Sequence, residues 1–407
     1  MKLSEDLKWR GLIKDSTSPE IDRILDEEKI TAYWGTDPSG DSLHLGHLSS
    51  VFLLKRLADY GHKPIILVGG ATGLIGDPKP NAERAMITHE ELDSNYQALK
   101  NQIANLFNYE MVNNYDWTKD MSYIDCLRDY GKYFPVNYML NKDTVKRRLE
   151  TGITYTEFSY MIMQAFDFLY LYENKNCTFQ VAGSDQWGNI TAGVDLIKKK
   201  IGKEAYAFTM PLILDKEGNK FGKSEGNALW IDKNKTSSYE LYQFLVNTGD
   251  DLVIHYLKVL TFLTREEIEN LEKELQESPE KRSAQKALAK NIITILHGEE
   301  EYKKAVNLSE VLFSGNVSNL SAKEIEMVFS GVDEFFVEKS EKILDFLVNN
   351  GIVISKREGR EFLEAGSITI NGEKILDLEE VISKEKAIDN KYIIVRKGKK
   401  KYYLGKF

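Results

Sequence analysis

Cysteine and long apolar runs are both scarce in this sequence. Its 407 residues include only Cys126 and Cys177, too few for a disulfide framework or a multi-cysteine metal site. No apolar run approaches the roughly 20 residues needed to span a bilayer, and the first residues lack the apolar core of a signal peptide. We therefore expect a cytoplasmic protein that has no membrane partner. The length predicts two or three domains.

Charge is distributed unevenly along the chain. The formal net charge is −9, which on its own argues weakly against a nucleic-acid partner. From Glu341 onward there are 14 Lys and Arg against 11 Asp and Glu, a local +3, which leaves 40 against 52, or −12, for the preceding residues. An acidic body with a basic last segment is typical of a protein that handles RNA with one part. A solubilising lysine tail explains the charge equally well.

Residues 33–48 combine the end of a predicted strand, a turn containing Gly and Pro, and the start of a helix. His44 and His47 are three residues apart, so we expect them on one face of the first helical turn. Backbone N–H groups at a helix start have no intrahelical partner and favour anions. The segment therefore predicts a phosphate site. Zinc binding by the histidines is the alternative, but no third ligand follows in the sequence.

Predicted strands and helices alternate through the first half of the chain. Residues 30–34, 64–68 and 179–182 have strand character, and the second run is continuously apolar, as in a buried strand of a parallel sheet. Strand, helix and strand within about 40 residues predict a right-handed βαβ unit. Ligands of such sheets bind beyond the carboxyl ends of the strands. Tyr33, Gly35, Asp37, Gly70 and Asp77 should lie at that edge.

Polar residues interrupt a mostly apolar helix predicted near residues 156–167. Tyr160, Gln164 and Asp167 recur on one stripe of this helix. Unpaired buried polar groups are costly, so we expect the stripe to line a polar pocket rather than to face solvent. A basic cluster precedes the helix at residues 142–148. We interpret that cluster as a solvated helix face, with RNA contact as the alternative.

The second half has a different character. Residues 239–320 predict amphipathic helices with no catalytic constellation, and a compact unit follows from residue 341. In that unit, Asn371 and Gly372 lie between alternating apolar residues, which is a strong hairpin signal. Residues 396–403 place basic side chains beside aromatic ones, which suits a nucleic-acid surface.

Taken together, these segments resemble bacterial-type tyrosyl-tRNA synthetases. Residues 44–47, His-Leu-Gly-His, are similar to the first signature of class I aminoacyl-tRNA synthetases, and residues 220–224, Lys-Phe-Gly-Lys-Ser, to the second. The two are about 175 residues apart, with the stretches 69–78 and 183–187 between them. The last segment resembles an S4-type RNA-binding domain, and the resemblance covers nearly the whole chain.

The resemblance implies an α/β fold in three parts. These are a Rossmann-like parallel-sheet catalytic domain over residues 1–229, an α-helical anticodon-binding domain over 230–325, and a small α+β S4-like domain over 341–407. It also implies a homodimer with an interface near residues 134–149. The implied reaction uses ATP, with Mg²⁺, to convert tyrosine into tyrosyl-adenylate and pyrophosphate. The tyrosyl group then passes to the terminal ribose of tRNA(Tyr).

The resemblance also implies roles for individual residues. Catalysis at the phosphates is assigned to His44, His47, Ser39, Lys220, Lys223 and Ser224. Tyrosine binding is assigned to Tyr33 and Asp167 at the phenol, to Asp77, Tyr160 and Gln164 at the ammonium, and to Asp37 and Gln186 for orientation. ATP binding is assigned to Gly35, Ser39, His44, His47, Gly183, Asp185 and Lys223. No protein ligand to a metal is predicted.

Two departures from the family pattern and three other interpretations accompany this assignment. Ser39 stands where the family often has threonine, and the second signature has Phe-Gly rather than Met-Ser in its middle. A tryptophanyl-tRNA synthetase is the nearest alternative, against which the Tyr33 and Asp167 pair and the S4-like segment argue. A small-molecule nucleotidylyltransferase would not explain the lysine loop. An RNA-binding protein without catalysis would not explain both signatures.

Overall fold

The computed structural model describes residues 1–78, 86–224, 227–314, 317–329, 332–398 and 401–407. These residues form two compact units. Unit 1 comprises Met1–Thr236 and Thr248–Ile292, and unit 2 comprises Ser237–Asn247 and Ile293–Phe407. The expected domains at 1–229, 230–325 and 341–407 are functional domains, which a division into compact units does not test. They stay a prediction.

The strands of the described residues are numbered in chain order. The strands are β1 Thr31–Thr36, β2 Lys63–Val68, β3 Glu110–Asn113, β4 Cys177–Gly183, β5 Tyr206–Met210, β6 Lys223–Ser224, β7 Asn227–Ala228, β8 Asp333–Phe336, β9 Glu341–Lys342, β10 Ile368–Ile370, β11 Glu373–Lys374, β12 Val381–Ile382, β13 Tyr392–Lys397 and β14 Lys401–Lys406.

The α-helices are numbered in the same way. They are α1 Leu3–Trp9, α2 Ile21–Glu27, α3 Leu48–Asp59, α4 Thr72–Ile75, α5 His89–Leu106, α6 Tyr115–Thr118, α7 Tyr123–Asp129, α8 Val136–Leu140, α9 Asp143–Arg148, α10 Tyr155–Lys175, α11 Trp187–Ile201, α12 Ser238–Val246, α13 Asp250–Leu260, α14 Arg265–Glu277, α15 Ser283–His297, α16 Glu299–Ser314, α17 Ala322–Val328, α18 Ile343–Asn349 and α19 Lys356–Glu364. None of these described helices is long and apolar enough to cross a membrane.

Unit 1 is built on a five-stranded sheet in the order β3-β2-β1-β4-β5, with every pair of neighbours parallel. Every residue of β2 after the first is buried, because helices cover both faces of such a sheet. The predicted Rossmann-like parallel sheet is therefore confirmed. The edge strand β3 is not among the strands that the sequence pattern predicts.

The two histidines lie before helix α3 rather than inside it. Leu45–His47 form a single 3₁₀ turn that His44 caps, and α3 begins at Leu48. The N–H of Gly46 donates to His44 Nδ1 at 3.1 Å, and the two imidazole rings have their centroids 3.9 Å apart. We expected both histidines on one face of an α-helical turn. The structure instead has a tighter 3₁₀ turn, which places one imidazole ring against the other.

Unit 2 contains a mixed sheet in the order β11-β10-β13-β14-β8. The predicted hairpin is confirmed: β10 and β11 pair antiparallel around Asn371 and Gly372, which have φ of 50° and 90°, and two residues with positive φ suit a tight hairpin turn. Strand β8 pairs parallel with β14, so the sheet includes residues that precede position 341.

The basic cluster before α10 is only partly a solvated face. Arg148, at the end of α9, is buried, and its two terminal nitrogens each donate to one carboxylate oxygen of Glu157 at 3.0 Å. Glu157 lies in the first turn of α10. The solvated interpretation is wrong for Arg148, because a planar guanidinium and a carboxylate satisfy each other in this two-bond geometry. The pair fixes the start of the helix that carries the polar stripe.

This ion pair should be worth far more than an exposed one. Arg148→Met would leave the Glu157 carboxylate buried without its cation, which typically costs about 3–5 kcal/mol of the free energy of unfolding. Arg265→Met breaks the pair with Glu269, whose side chains are 55% and 51% exposed, and should cost less than about 1 kcal/mol. Urea denaturation of both variants measures the difference; equal losses would contradict a structural role for the buried pair.

Candidate active site

A cavity of about 520 Å³ opens in unit 1 and is lined by residues at the carboxyl ends of the strands. It brings together residues from both predicted signatures and from the polar stripe of α10. The predicted site residues that line it are Tyr33, Gly35, Asp37, Ser39, His44, His47, Asp77, Tyr160, Gln164, Asp167, Gly183, Asp185, Gln186 and Lys220. Lys223 and Ser224 form β6, but their side chains lie outside the described part of the structure.

Asp167 is a buried carboxylate whose oxygens each accept a hydrogen bond. Asn114 Nδ2 donates to one oxygen and Trp117 Nε1 to the other, both at 2.9 Å. The side chain of Tyr33 is also buried, and its hydroxyl has no hydrogen-bond partner among the described residues. Buried polar groups are nearly always hydrogen-bonded. The Tyr33 hydroxyl therefore marks a place for a polar ligand atom.

Burial sets the protonation of these groups. It raises the pKa of the Asp167 carboxyl to about 7, while the N–H donors of Asn114 and Trp117 oppose the rise. Burial, and then the neighbouring Asp167, raise the pKa of the Tyr33 hydroxyl well above its usual value. Burial and Asp37 do the same for Tyr160. Both phenols are therefore protonated at neutral pH.

A second carboxylate belongs to the same hydrogen-bond network. Asp37 accepts from the Tyr160 hydroxyl at 2.9 Å and from the Thr72 hydroxyl at 2.7 Å. The Thr72 oxygen in turn accepts from Asn114 Nδ2 at 2.9 Å. Because Asn114 also donates to Asp167, one continuous chain of side chains joins the two carboxylates across the cavity.

A third carboxylate, Asp77, is held by amides. Gln186 Nε2 donates to one of its oxygens at 2.7 Å and Asn189 Nδ2 to the other at 3.1 Å. Gln164 also lines the cavity, and its Oε1 has no partner among the described residues. An arrangement of carboxylates and an amide oxygen suits a cationic group such as an ammonium.

The backbone of the lysine segment is connected to the histidine turn. The N–H of Leu45 donates to the carbonyl of Leu229 at 2.9 Å, and the N–H of Leu229 donates to the carbonyl of Gly222 at 2.8 Å. Gly222 has φ of +76°, and a Cβ there would lie 2.6 Å from Cβ of Leu45. Only glycine permits this approach. The two signatures are therefore in direct contact.

Lys220, from the lysine segment, reaches the cavity. Lys220 Nζ lies 3.0 Å from Asp185 Oδ2, and both side chains are about half exposed. Together with the imidazoles of His44 and His47, Lys220 provides the positive or hydrogen-donating groups that an anion such as phosphate requires. The described residues contain no group of three or more His, Cys, Asp or Glu placed to hold a metal ion.

Several residues of the site were missed from the sequence. Thr72, Asn114, Trp117 and Asn189 hold the carboxylates described above, and Gln180 lines the cavity with an Oε1 that has no partner among the described residues. Two signals could have found some of them. Asn114 and Trp117 directly follow a strand that ends at the ligand-binding edge, and Gln180 is a polar residue within an apolar strand.

Comparison with protein families gives two adjoining matches. Residues 25–314 match the family model described as class I tRNA synthetases for W and Y, and residues 324–405 match a C-terminal domain of the tyrosine–tRNA ligase SYY type. Among curated proteins, the tyrosine–tRNA ligase of Streptococcus pneumoniae (strain CGSP14) is 48% identical over 415 residues, and that of Streptococcus suis (strain 98HAH33) is 48% identical over 413 residues. Each match covers 99% of both chains.

Solved structures agree with these matches. A C-terminally truncated mitochondrial tyrosyl-tRNA synthetase of Aspergillus nidulans is 32% identical, with a TM-score of 0.69, over 77% of this chain and 94% of that one. The enzyme of Archaeoglobus fulgidus, crystallised with L-tyrosine, has a TM-score of 0.57 at 19% identity, over 75% and 100% of the two chains. The second comparison supports the fold alone.

The raised pKa of Asp167 predicts a specific pH dependence of stability. The usual pKa of an aspartate carboxyl is 3.8, and the pKa of Asp167 in the folded protein is about 7. Between these two pH values the folded protein holds a proton on Asp167 that the unfolded chain has released. Unfolding then releases the proton, so the Asp167 contribution to the free energy of unfolding falls by about 4 kcal/mol as pH rises through this window. Asp167→Asn removes the titration.

Denaturation of wild type and Asp167→Asn at several pH values tests this expectation. The stability of wild type relative to Asp167→Asn should decline from about pH 4 to about pH 7 and then level off. Glu274→Gln, a change at an exposed position on α14, controls for the loss of one carboxylate. Parallel profiles for wild type and Asp167→Asn would show that Asp167 titrates normally.

Proposed function

Because the chain belongs to the tyrosyl-tRNA synthetases, we propose that the cavity of unit 1 is where it activates tyrosine. The protein is a tyrosine–tRNA ligase: it converts tyrosine and ATP into tyrosyl-adenylate and pyrophosphate, and then transfers tyrosine to tRNA(Tyr). The full-length match carries this assignment. The tryptophan alternative is set aside, because the C-terminal match and both relatives are described as tyrosine–tRNA ligases.

Tyr33 and Asp167 are proposed to bind the phenol of the substrate. The substrate hydroxyl would donate to the Asp167 carboxylate and accept from Tyr33, whose hydroxyl has no other partner among the described residues. Asn114 and Trp117 already hold the carboxylate in place. Phenylalanine would leave the Tyr33 hydroxyl unpaired and would supply no donor to Asp167, and tyrosine activation is the standing example of discrimination by such a penalty.

The ammonium of tyrosine is proposed to bind at Asp77, Tyr160 and Gln164. The Oε1 of Gln164, which has no partner among the described residues, suits an N–H donor, and the Asp77 carboxylate supplies the opposite charge. Asp37 and Gln186 would orient the amino acid through the groups they contact, since Asp37 accepts from Tyr160 and Gln186 donates to Asp77. The substrate carboxylate then remains free to react.

Activation requires that a substrate carboxylate oxygen attack the α-phosphorus of ATP. The new O–P bond forms as the bond to pyrophosphate breaks, so positioning and charge stabilisation supply most of the catalysis. We assign contacts with the phosphates to His44, His47, Ser39, Lys220, Lys223 and Ser224. Mg²⁺ would accompany ATP, because this ion is usually held by phosphates with few protein ligands.

The nucleoside is proposed to lie between β1 and β4. Gly35 would allow the backbone to approach ATP closely, and Gly183 and Asp185 would bind the ribose. Asp185 is paired with Lys220 in the structure, so this contact must open for Asp185 to bind ribose hydroxyls while Lys220 contacts phosphate. Exposed ion pairs contribute about 0–1 kcal/mol, which makes such an exchange inexpensive.

Transfer to tRNA is proposed to use both later parts of the chain. We assign anticodon binding to residues 230–325 and a further RNA contact to the S4-like residues 341–407. Lys356, Arg357 and Arg360 on α19 are exposed, and exposed basic side chains on one helix are typical of a phosphate-binding surface.

The protein is further proposed to act as a homodimer in the cytoplasm. Large apolar side chains are exposed within residues 123–155; Tyr123, Ile124, Val136 and Tyr155 are each more than half exposed. Monomeric proteins rarely expose extended apolar surface. The expected interface near residues 134–149 lies within this segment.

Exchange of labelled pyrophosphate into ATP tests the activation step directly. We expect exchange that depends on tyrosine and that is far lower with phenylalanine, which lacks the hydroxyl that pairs with the buried polar groups. Asp167→Asn should reduce exchange about 10- to 100-fold, because it removes a hydrogen bond to a charged acceptor, whereas Glu274→Gln should not. Charging of tRNA(Tyr) should likewise be reduced in Asp167→Asn and not in Glu274→Gln. Equal exchange with tryptophan or phenylalanine, or none with tyrosine, would contradict the proposal.

A further inference from the structure

Tyr256 of α13 contacts both sides of the turn that precedes the lysine segment. Its hydroxyl donates to the carbonyl of Leu214 at 2.8 Å. Its ring packs against Phe221, with centroids 4.6 Å apart and planes at 57°. Tyr256 and Phe221 are both buried. Phe221 is the second residue of the Lys-Phe-Gly-Lys-Ser signature, so one tyrosine outside the signature holds a residue within it.

The contacted segment is a short hairpin. Leu214 and Lys220 form an antiparallel bridge, and the N–H of Phe221 donates to the carbonyl of Ile213 at 2.9 Å. The carboxylate of Asp215 accepts from the backbone N–H of Asn219 at 2.8 Å and closes the turn. Leu214 lies on the first arm of the hairpin, while Lys220 and Phe221 lie on the second. Tyr256 therefore joins the two arms.

Helix α13 is itself fixed to the helix that follows the histidine turn. Arg10 donates to the carbonyls of Lys258 at 2.9 Å and Leu263 at 2.7 Å, and Arg56 of α3 donates to the carbonyl of Thr261. Both arginines are buried. Carbonyls at a helix C-terminus lack intrahelical donors and favour cations. The position of Tyr256 is thereby set relative to α3.

We propose that Tyr256 is a positioning residue for activation, which holds in place the hairpin that carries Lys220 and leads into the next lysine of the signature, so that both lysines start from a defined backbone position beside the cavity. The inference rests on the proposed contact of these lysines with the phosphates of ATP. Lysine side chains are long and flexible, so their placement depends on the backbone that carries them. Burial raises the pKa of the Tyr256 hydroxyl to about 12, which keeps it a donor at neutral pH.

The proposal predicts that loss of the Tyr256 hydroxyl affects ATP but not tyrosine. In Tyr256→Phe, the ring still packs on Phe221 while the bond to Leu214 is lost. We expect the single-turnover rate of adenylate formation to fall, or the KM for ATP to rise, about two- to tenfold, the usual effect of one hydrogen bond. The dissociation constant of tyrosine, measured by fluorescence titration without ATP, should not change. Tyr256→Leu, which also removes the ring, should have a larger effect on the ATP-dependent step.

Tyr60→Phe is the matched control. The Tyr60 hydroxyl also donates to a backbone carbonyl, that of Met1 at 3.2 Å, and Tyr60 does not line the cavity. Its loss should leave both measurements unchanged. The proposal would be overturned if Tyr256→Phe had the same kinetics as Tyr60→Phe. It would also be overturned if Tyr256→Phe weakened the binding of tyrosine and of ATP equally, because that result indicates a general structural role. If Tyr256→Leu fails to fold, Tyr256→Phe decides.

The result is separable from the assignment of the reaction. If the unsubstituted protein shows no tyrosine-dependent exchange, the reaction itself is wrong. If the unsubstituted protein is active and Tyr256→Phe has the same kinetics, only the role proposed for Tyr256 is wrong.

Discussion

The hydrogen bonds to buried Asp167 are the constraint on which the site depends. A carboxylate without water needs donors for both oxygens, and here they come from Asn114 and Trp117. Asn114 also donates to Thr72, which donates to Asp37. Four separate stretches of chain must therefore be in place together before the cavity has its polar lining. The parallel sheet meets this requirement, because its strands all deliver the next residues to one edge.

The other end of the site depends on backbone contacts rather than on buried charge. The lysine segment joins the histidine turn through Leu45, Leu229 and Gly222. The side chain of Lys220 is more exposed than Asp167 at the other end of the site. This division suits the proposed reaction: a buried, hydrogen-bonded carboxylate would select the amino acid, while exposed cations would contact the phosphates as charge shifts to the leaving group.

The sequence predicted those parts of the fold and site that have a local pattern. The apolar run 64–68, the hairpin at Asn371 and the polar stripe of α10 each follow from periodicity or turn chemistry. The donors Asn114 and Trp117 could not be found in this way, because a partner for a buried carboxylate can come from any segment. Arg148 was misinterpreted for the same reason, since its partner Glu157 lies on the next helix. The residue roles carried over from the family, including those of Lys223 and Ser224, remain predictions.

A crystal structure of the protein with a non-hydrolysable tyrosyl-adenylate analogue tests the central claim most directly. The account predicts that the phenol oxygen lies within about 2.6–3.2 Å of both the Tyr33 hydroxyl and an oxygen of Asp167, with the ribose beside Asp185 and the phosphate beside the histidine turn. A phenol oxygen that contacts neither Tyr33 nor Asp167, or an adenylate bound outside this cavity, would contradict it.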